Sequence, residues 1–380
     1  MSSVETDSRF AAGSSRHPDP AAAVGEVVGR VEELLGGPPS VAAVFVSGSH
    51  IDSLDAVVNA VHGLLGPEVL VGATAAGVVG GAEEIEDGDA ITIWGARGVR
   101  AAPLRLEALP GTPPLLLGLP DQIEPGSTVL VLADPNTFPV EALVDDLNER
   151  FPSVGLVGGL ASALGGPDRN RVVTNRTVHL DGAVGLIFEP GIAKPIVSQG
   201  CRPIGSPWVI TEADGQMVRQ LGGQPAMARL TSVIEDLSDD DRLIAARGLH
   251  VGVVADELQA EFDQGDFLIR GVLGAERATG SVAVGDLVEV GQILQFQVRD
   301  ATSASAEVDR LLVDVEGRSA LVFTCNGRGT HLFDEPHHDA SRVHDVVGDA
   351  VSGMFCAGEL GPIADRNAVH AFTATIVVFP

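Results

Sequence analysis

The sequence predicts an α/β protein of two domains, built from repeated strand–helix–strand units with glycine-rich strand ends. Three observations carry that expectation. The chain compares with itself at an offset of 86 residues: LDAVVNAVHGLLGPEVLVGATAAG (54–77) lies over VEALVDDLNERFPSVGLVGGLASA (140–163) without a gap. In each copy apolar residues recur at helical spacing, at Leu54, Val57, Val58, Val61 and Leu65, and at Val140, Leu143, Val144, Leu147 and Phe151. That pattern is one buried helix face. Finally, 380 residues are too many for one ordinary core.

The elements follow in order. Residues 1–22 (MSSVETDSRFAAGSSRHPDP and two Ala) are polar, with Ser, Pro and early acidic residues and no apolar leader, and read as a flexible tail. VFVSGSH (44–50) and LVLADPN (130–136) are strands ending in turn residues, each followed by its helix and a second strand ending in small residues. Strands ITIWG (91–95) and AVGLIF (183–188) come next. Between residues 197 and 301 several strands alternate, a helix starts after Pro225, and ATSASAEVDRLLVDV (301–315) reads as a helix with a Thr or Ser cap. The change near Pro225 sets the expected boundary: domains at 23–225 and 226–380. A looser third copy closes the chain, with SALVFTCN (319–326), DASRVHDVVGDA (339–350), VSGMFCAGELG (351–361) and HAFTATIVVF (370–379).

Composition narrows the function. The net charge of −28, with one Lys, Lys194, and no Tyr, speaks against nucleic-acid and anionic lipid partners. Apolar runs reach about ten residues, short of the roughly 18–20 that cross a bilayer. Three Cys without a CxxC fit a reducing cytoplasm rather than a disulfide framework. Phosphate-loop, dinucleotide and HExxH motifs are missing, so the residues assign no cofactor and no metal. The acidic runs EEIED (83–87) and EDLSDDD (235–241) and the pair His337-His338 read as solvated faces or loops.

Ligands of open α/β sheets sit at the carboxyl ends of strands. Those ends here carry the candidate ligand-binding residues: Cys201, Arg202, Cys325, Asn326, Arg328, Gly329, Cys356, Glu359 and Gly361. Arg328 in its glycine turn offers a planar fork for a carboxylate, and Glu359 could take an ammonium group; the alternative is that the two pair with each other. Each Cys lies beside Gly at the end of an apolar run, which suits a small hydrophobe, a pocket wall or a thiolate. No catalytic residue is assigned.

The ordered set VLVGATAAGVVGGAEEIE (69–86), SQGCRPIG (198–205), LGGQPAM (221–227), FTCNGRG (323–329), GMFCAGELGPI (353–363) and HAFTATIVVF (370–379) resembles the FIST domain family, across about residues 30–380. The resemblance implies an intracellular sensory module binding a small molecule such as an amino acid and acting on a signalling protein partner. Some family members are fused to output domains, and this chain carries no recognisable kinase, cyclase or F-box segment. One bacterial branch resembles a haem-dependent nitric oxide sensor, and His370 matches the family's C-terminal-strand His. A Cys-dependent hydrolase or transferase, and a haem or redox sensor, stay open as alternatives.

Overall fold

The computed structural model describes residues 8–256, 262–364 and 366–380. The chain forms two compact units. One comprises the residues up to Val197 together with Val308–Val369 and Thr373–Pro380; the other comprises Ser198–Glu307 with His370–Phe372.

The first unit contains three sheets, and a strand–helix–parallel strand segment sits at the centre of each. In the first sheet these are Val41–Ser47, Leu54–Leu64 and Val69–Ala75. In the second they are Thr128–Ala133, Val140–Arg150 and Gly155–Leu160. In the third they are Ser319–Cys325, His338–Val347 and Val351–Cys356. An antiparallel strand flanks the first strand of each: Ala90–Arg97, Ala183–Phe188 and Thr373–Phe379. The helices bury the faces their spacing marks, Leu54, Val57, Val58 and Val61 in one and Val140, Leu143, Val144 and Leu147 in another. The third helix differs, because its buried face begins with His338 and Asp339.

The hairpin that follows each segment joins a different sheet. Val78–Gly80 and Glu83–Ile85 follow the first segment and extend the third sheet beside Val351–Cys356. Val172–Thr174 and Thr177–His179 follow the second and extend the first sheet. Glu359–Ile363 and Arg366–His370 follow the third and extend the second sheet. The exchange is cyclic, so no sheet is completed by its own stretch of chain. One apolar core is common to all three sheets, with Phe45, Trp94, Leu130, Phe188, Phe323, Met354 and Phe379 buried together. Trp94 lies 4.8 Å from Phe379, centroid to centroid, and its Nε1 donates to Ser319 Oγ at 2.6 Å, so the indole buries its large surface with its polar atom satisfied.

Small residues at the second strand of each segment have a steric cause. A Cβ at Gly72, Gly158 or Gly353 would stand 2.4, 2.0 or 1.9 Å from the carbonyl oxygen of Val44, Val131 or Val322. Gly72 lies opposite Val44 and Gly158 opposite Val131, so the pairs differ by one residue in register although the helices keep the offset of 86.

The second unit is a closed antiparallel ring. Its strands run in the order Cys201–Asp214, Ile293–Arg299, Leu249–Val254, Phe267–Glu276, Ser281–Val284 and Met217–Leu221, and the last pairs back onto the first. Closure removes the sheet edges. Ile210, Leu221, Val251, Leu294, Phe296 and Val298 form its core, with helix Ala226–Asp236 packed on it through Leu230 and Val233.

One expectation changes. Within the 1–22 tail, Arg9–Ser15 is a strand paired with Ala90–Arg97, because its small residues Ala11, Ala12 and Gly13 fit a buried ladder position; residues 1–7 lie outside the described residues. The compact units divide near residues 197 and 307, and strands on both sides of Pro225 belong to the same ring. Among the described residues no helix is long and apolar enough to cross a membrane.

Candidate functional site

The site grows from the end of the Ser319–Cys325 strand, every residue of which is buried. Asn326 N donates to Cys356 O at 2.9 Å and Arg328 N to Cys325 O at 2.8 Å, which turns the chain back at once. Gly329, at φ +55°, opens a short 3-10 turn to His331. A Cβ there would stand 2.6 Å from the Glu86 carboxyl carbon, so both the left-handed backbone and the close approach require glycine.

This turn carries Arg328 inward to full burial. Its Nε and Nη2 donate to Asp339 Oδ2 and Oδ1, both at 2.7 Å, a bidentate pair at zero exposure. Thr324 Oγ1 donates to Asp339 Oδ2 at 2.9 Å, and His338 Nδ1 lies 2.9 Å from Oδ1. The His338 ring stacks on Phe333, and the guanidinium sits 5.2 Å from that same ring. Burial opposes the Asp339 charge, but Arg328 and then His338 outweigh it and hold the carboxyl well below its usual range.

Two carboxylates of the Val78–Ile85 hairpin and its exit brace this loop. Glu84, buried, accepts from Asp339 N at 2.9 Å and Ala340 N at 3.0 Å, at the amino end of helix His338–Val347. Burial, followed by the Asp339 charge, pushes its carboxyl up to about 7 despite the two amides. Glu86 accepts from Thr330 N at 2.9 and 3.1 Å and from Thr330 Oγ1 at 2.8 Å. Glu84 N donates to His337 Nδ1 at 2.9 Å.

Glu359 is also fully buried. Its Oε2 accepts from Thr373 Oγ1 at 2.8 Å and Thr373 N at 3.2 Å. Burial pushes its carboxyl up to about 8, against the opposing effects of Thr373, Arg328 and the Cys325 thiol. Cys325 lies opposite Cys356 in the parallel ladder. Burial, then the Glu359 charge, pushes the Cys356 thiol up. Both are reduced thiols.

Three strand ends meet beside these groups. Ser162 Oγ accepts from Ala76 N at 3.0 Å and donates to Phe355 O at 2.6 Å. Phe355 N donates to Gly77 O, Leu160 N to Gly358 O, and Ala357 N to Leu160 O. The Cys356 sulfur packs on Gly159, where a Cβ would come within 2.3 Å of it. The ends near residues 76, 160 and 356 are therefore laced together by backbone hydrogen bonds.

The residues singled out from sequence are placed as follows. Cys325, Asn326, Arg328, Gly329, Cys356 and Glu359 belong to this cluster, and Gly361 packs under Val197 and Thr375. Cys201 and Arg202 belong to the second unit. There Cys201 is buried with Val254, Phe267 and Ile269, and Arg202 pairs with Asp300 at 2.6 Å and with Asp241. The carboxylate in the Arg328 fork is Asp339, while Glu359 spends its hydrogen bonds on Thr373. His338 is buried rather than solvated, because its ring closes on Phe333. Glu84 is not on a solvated face either: it alternates with Ile85, which is buried in the common core, and its own side chain is covered where it meets the amides of Asp339 and Ala340. Sequence reading missed Asp339, Glu84, Glu86 and Thr373; the one available signal was Asp339 at the start of the third helix. Among the described residues no group of three or more His, Cys, Asp or Glu could hold a metal ion. Clefts of about 690 and 490 Å3, which share Arg100 and Ala101, include no residue of this cluster.

Residues 40–224 match the FIST N domain and residues 226–362 the FIST C domain. An uncharacterized protein of Mycobacterium bovis is 40% identical over 382 residues, covering 98% of this chain and 98% of its own. An uncharacterized protein of Mycobacterium tuberculosis is 39% identical over 382 residues, covering 98% of this chain and 99% of its own.

Proposed function

The chain belongs to the FIST domain family, and on that premise we propose that it is a sensory protein whose small-molecule ligand binds where the three strand ends meet. FIST domains are in general sensory domains for small ligands. The observation that carries the location is Asn326: its Oδ1 is buried and accepts no hydrogen bond among the described residues. A buried acceptor left unmade costs about 1–3 kcal/mol, which a ligand donor would recover. Glu359 adds a carboxyl that stays protonated at neutral pH until a cation draws its proton away. The Arg328 fork is filled by Asp339, so Arg328 and Gly329 frame the loop instead of gripping a ligand carboxylate. The ligand is accordingly a small polar molecule that presents a hydrogen-bond donor, and the ammonium of an amino acid has that chemistry. Contact falls to Cys325, Asn326, Cys356, Glu359 and the Gly361 backbone.

A nucleophilic thiolate needs a depressed pKa, and burial moves Cys356 the other way, which favours binding over covalent chemistry. We assign Cys201 and Arg202 to the framework of the second unit, place the protein in the cytoplasm on its reduced cysteines, and give its output to a signalling protein partner. We also read the three strand–helix–strand segments as copies of one unit. A thermal-shift screen of amino acids and amines tests the site. A ligand at 100 times its Kd stabilises by about 2.7 kcal/mol, and Asn326→Leu should remove that gain. A ligand whose stabilisation survives both Asn326→Leu and Glu359→Gln would overturn the assignment.

A further inference from the structure

We infer that the Val78–Ile85 hairpin is a proton-sensitive latch that holds the Asn326–His337 loop closed and releases it when Glu84 loses its proton. The inference rests on the proposed site only for its consequence, which is control over the loop that carries Asn326.

The geometry supplies the latch. The hairpin follows the first strand–helix–strand segment but is an edge of the third sheet, so it can part from the third segment without breaking a central ladder. It grips the loop at both ends. Glu86 holds the turn at Thr330 with three hydrogen bonds and packs against Gly329. Glu84 holds the start of helix His338–Val347 through the amides of Asp339 and Ala340, and its own N–H is taken by His337 Nδ1.

Burial and the groups facing Glu84 decide the direction. Burial opposes its ionisation most, then the Asp339 carboxylate from the helix and, least, Glu86 from its own chain, and together they outweigh the amides of Ala340 and Asp339. Arg328 and His338 direct their hydrogen bonds to Asp339, which fixes Asp339 as the ionised partner. His337 contributes a ring nitrogen to the backbone of Glu84. The closed state therefore keeps a proton on Glu84, and the open, hydrated carboxyl sheds it. With an ordinary value of 4.5 in the open state and about 7 in the closed one, opening should increase roughly 25-fold between pH 5.5 and pH 8 and level off above that.

Amide hydrogen exchange of the protein without added ligand reads this directly. Rates at Thr330, Asp339 and Ala340, corrected for intrinsic exchange and normalised to the Thr128–Ala133 strand, should show the rise in the wild type. Glu84→Gln should lose it, while Glu86→Gln, which leaves the Glu84 carboxyl in place, should keep it. An equal rise in Glu84→Gln, or no rise in the wild type, overturns the latch; the wild-type measurement decides alone if Glu84→Gln does not fold. Because no ligand enters the experiment, its outcome is independent of whether the proposed site binds one.

Discussion

Asp339→Asn is the sharpest perturbation of the buried cluster. Asparagine keeps the size of the side chain but withdraws the charge that the Arg328 fork meets at 2.7 Å on two bonds. It also offers one acceptor where Arg328, Thr324 and His338 now share two. Removing one partner of a buried pair leaves the other charge uncompensated, at a cost of about 3–5 kcal/mol. In a unit of this size each kcal/mol moves the melting temperature by about 2–4 °C, so Tm should fall by roughly 6–20 °C. The double variant Arg328→Met with Asp339→Leu removes both charges and should be more stable than Asp339→Asn, since an apolar pair avoids desolvating ions. Urea unfolding followed by circular dichroism at one pH measures the wild type, Asp339→Asn, the double variant and its two singles, Arg328→Met and Asp339→Leu. A loss below about 1 kcal/mol in Asp339→Asn, or a double variant whose loss equals the sum of its two singles, would refute the reasoning.

Three further outcomes follow from the same structure. The folded-state values of Glu84 and Glu359 are raised, so the stability tied to their protonated forms is complete below about pH 4.5 and lost as pH rises toward about 7 and 8; Tm should fall from pH 5.5 to pH 8.5, and less steeply in Glu359→Gln. Gly353→Ala should cost about 3 kcal/mol or more, because its Cβ would meet Val322 O at 1.9 Å, whereas Gly63→Ala, with no atom within 4 Å, should stabilise its helix by about 0.5–1 kcal/mol; denaturant midpoints distinguish the two. Cys201, Cys325 and Cys356 are buried, so a thiol reagent should modify them slowly in the native protein and quickly in denaturant; rapid native labelling at Cys356 would contradict its packing on Gly159.

What the sequence disclosed divides along the range of the interactions. The helices at Leu54–Leu64 and Val140–Arg150 were legible because their buried faces recur at 3.6-residue spacing. Strand ends rich in small residues were visible too, since a glycine forced by a carbonyl oxygen that any Cβ would overlap leaves a local mark. Helix Pro20–Leu35 went unread, although Asp19 caps it, Pro20 opens it and Gly36 closes it. The cyclic exchange of hairpins leaves no local trace, because a short edge strand reads alike whichever sheet it joins. For the same reason the Arg328 fork pointed to a carboxylate but not to Asp339, and nothing near Glu84 announced that it would cap a helix more than 250 residues away. Polar pairings depend on which loops the fold brings together, and periodicity carries none of that information.

The central claim is that ligand binding occurs where the three strand ends meet. Backbone amide shifts, recorded while titrating the amino acid or amine that most raises Tm, test it most directly. Perturbations should concentrate at Cys325, Asn326, Gly327, Cys356, Gly358 and Glu359. Perturbations confined instead to the cleft lined by Ser40, Glu68, Arg97 and Arg100 would contradict the account.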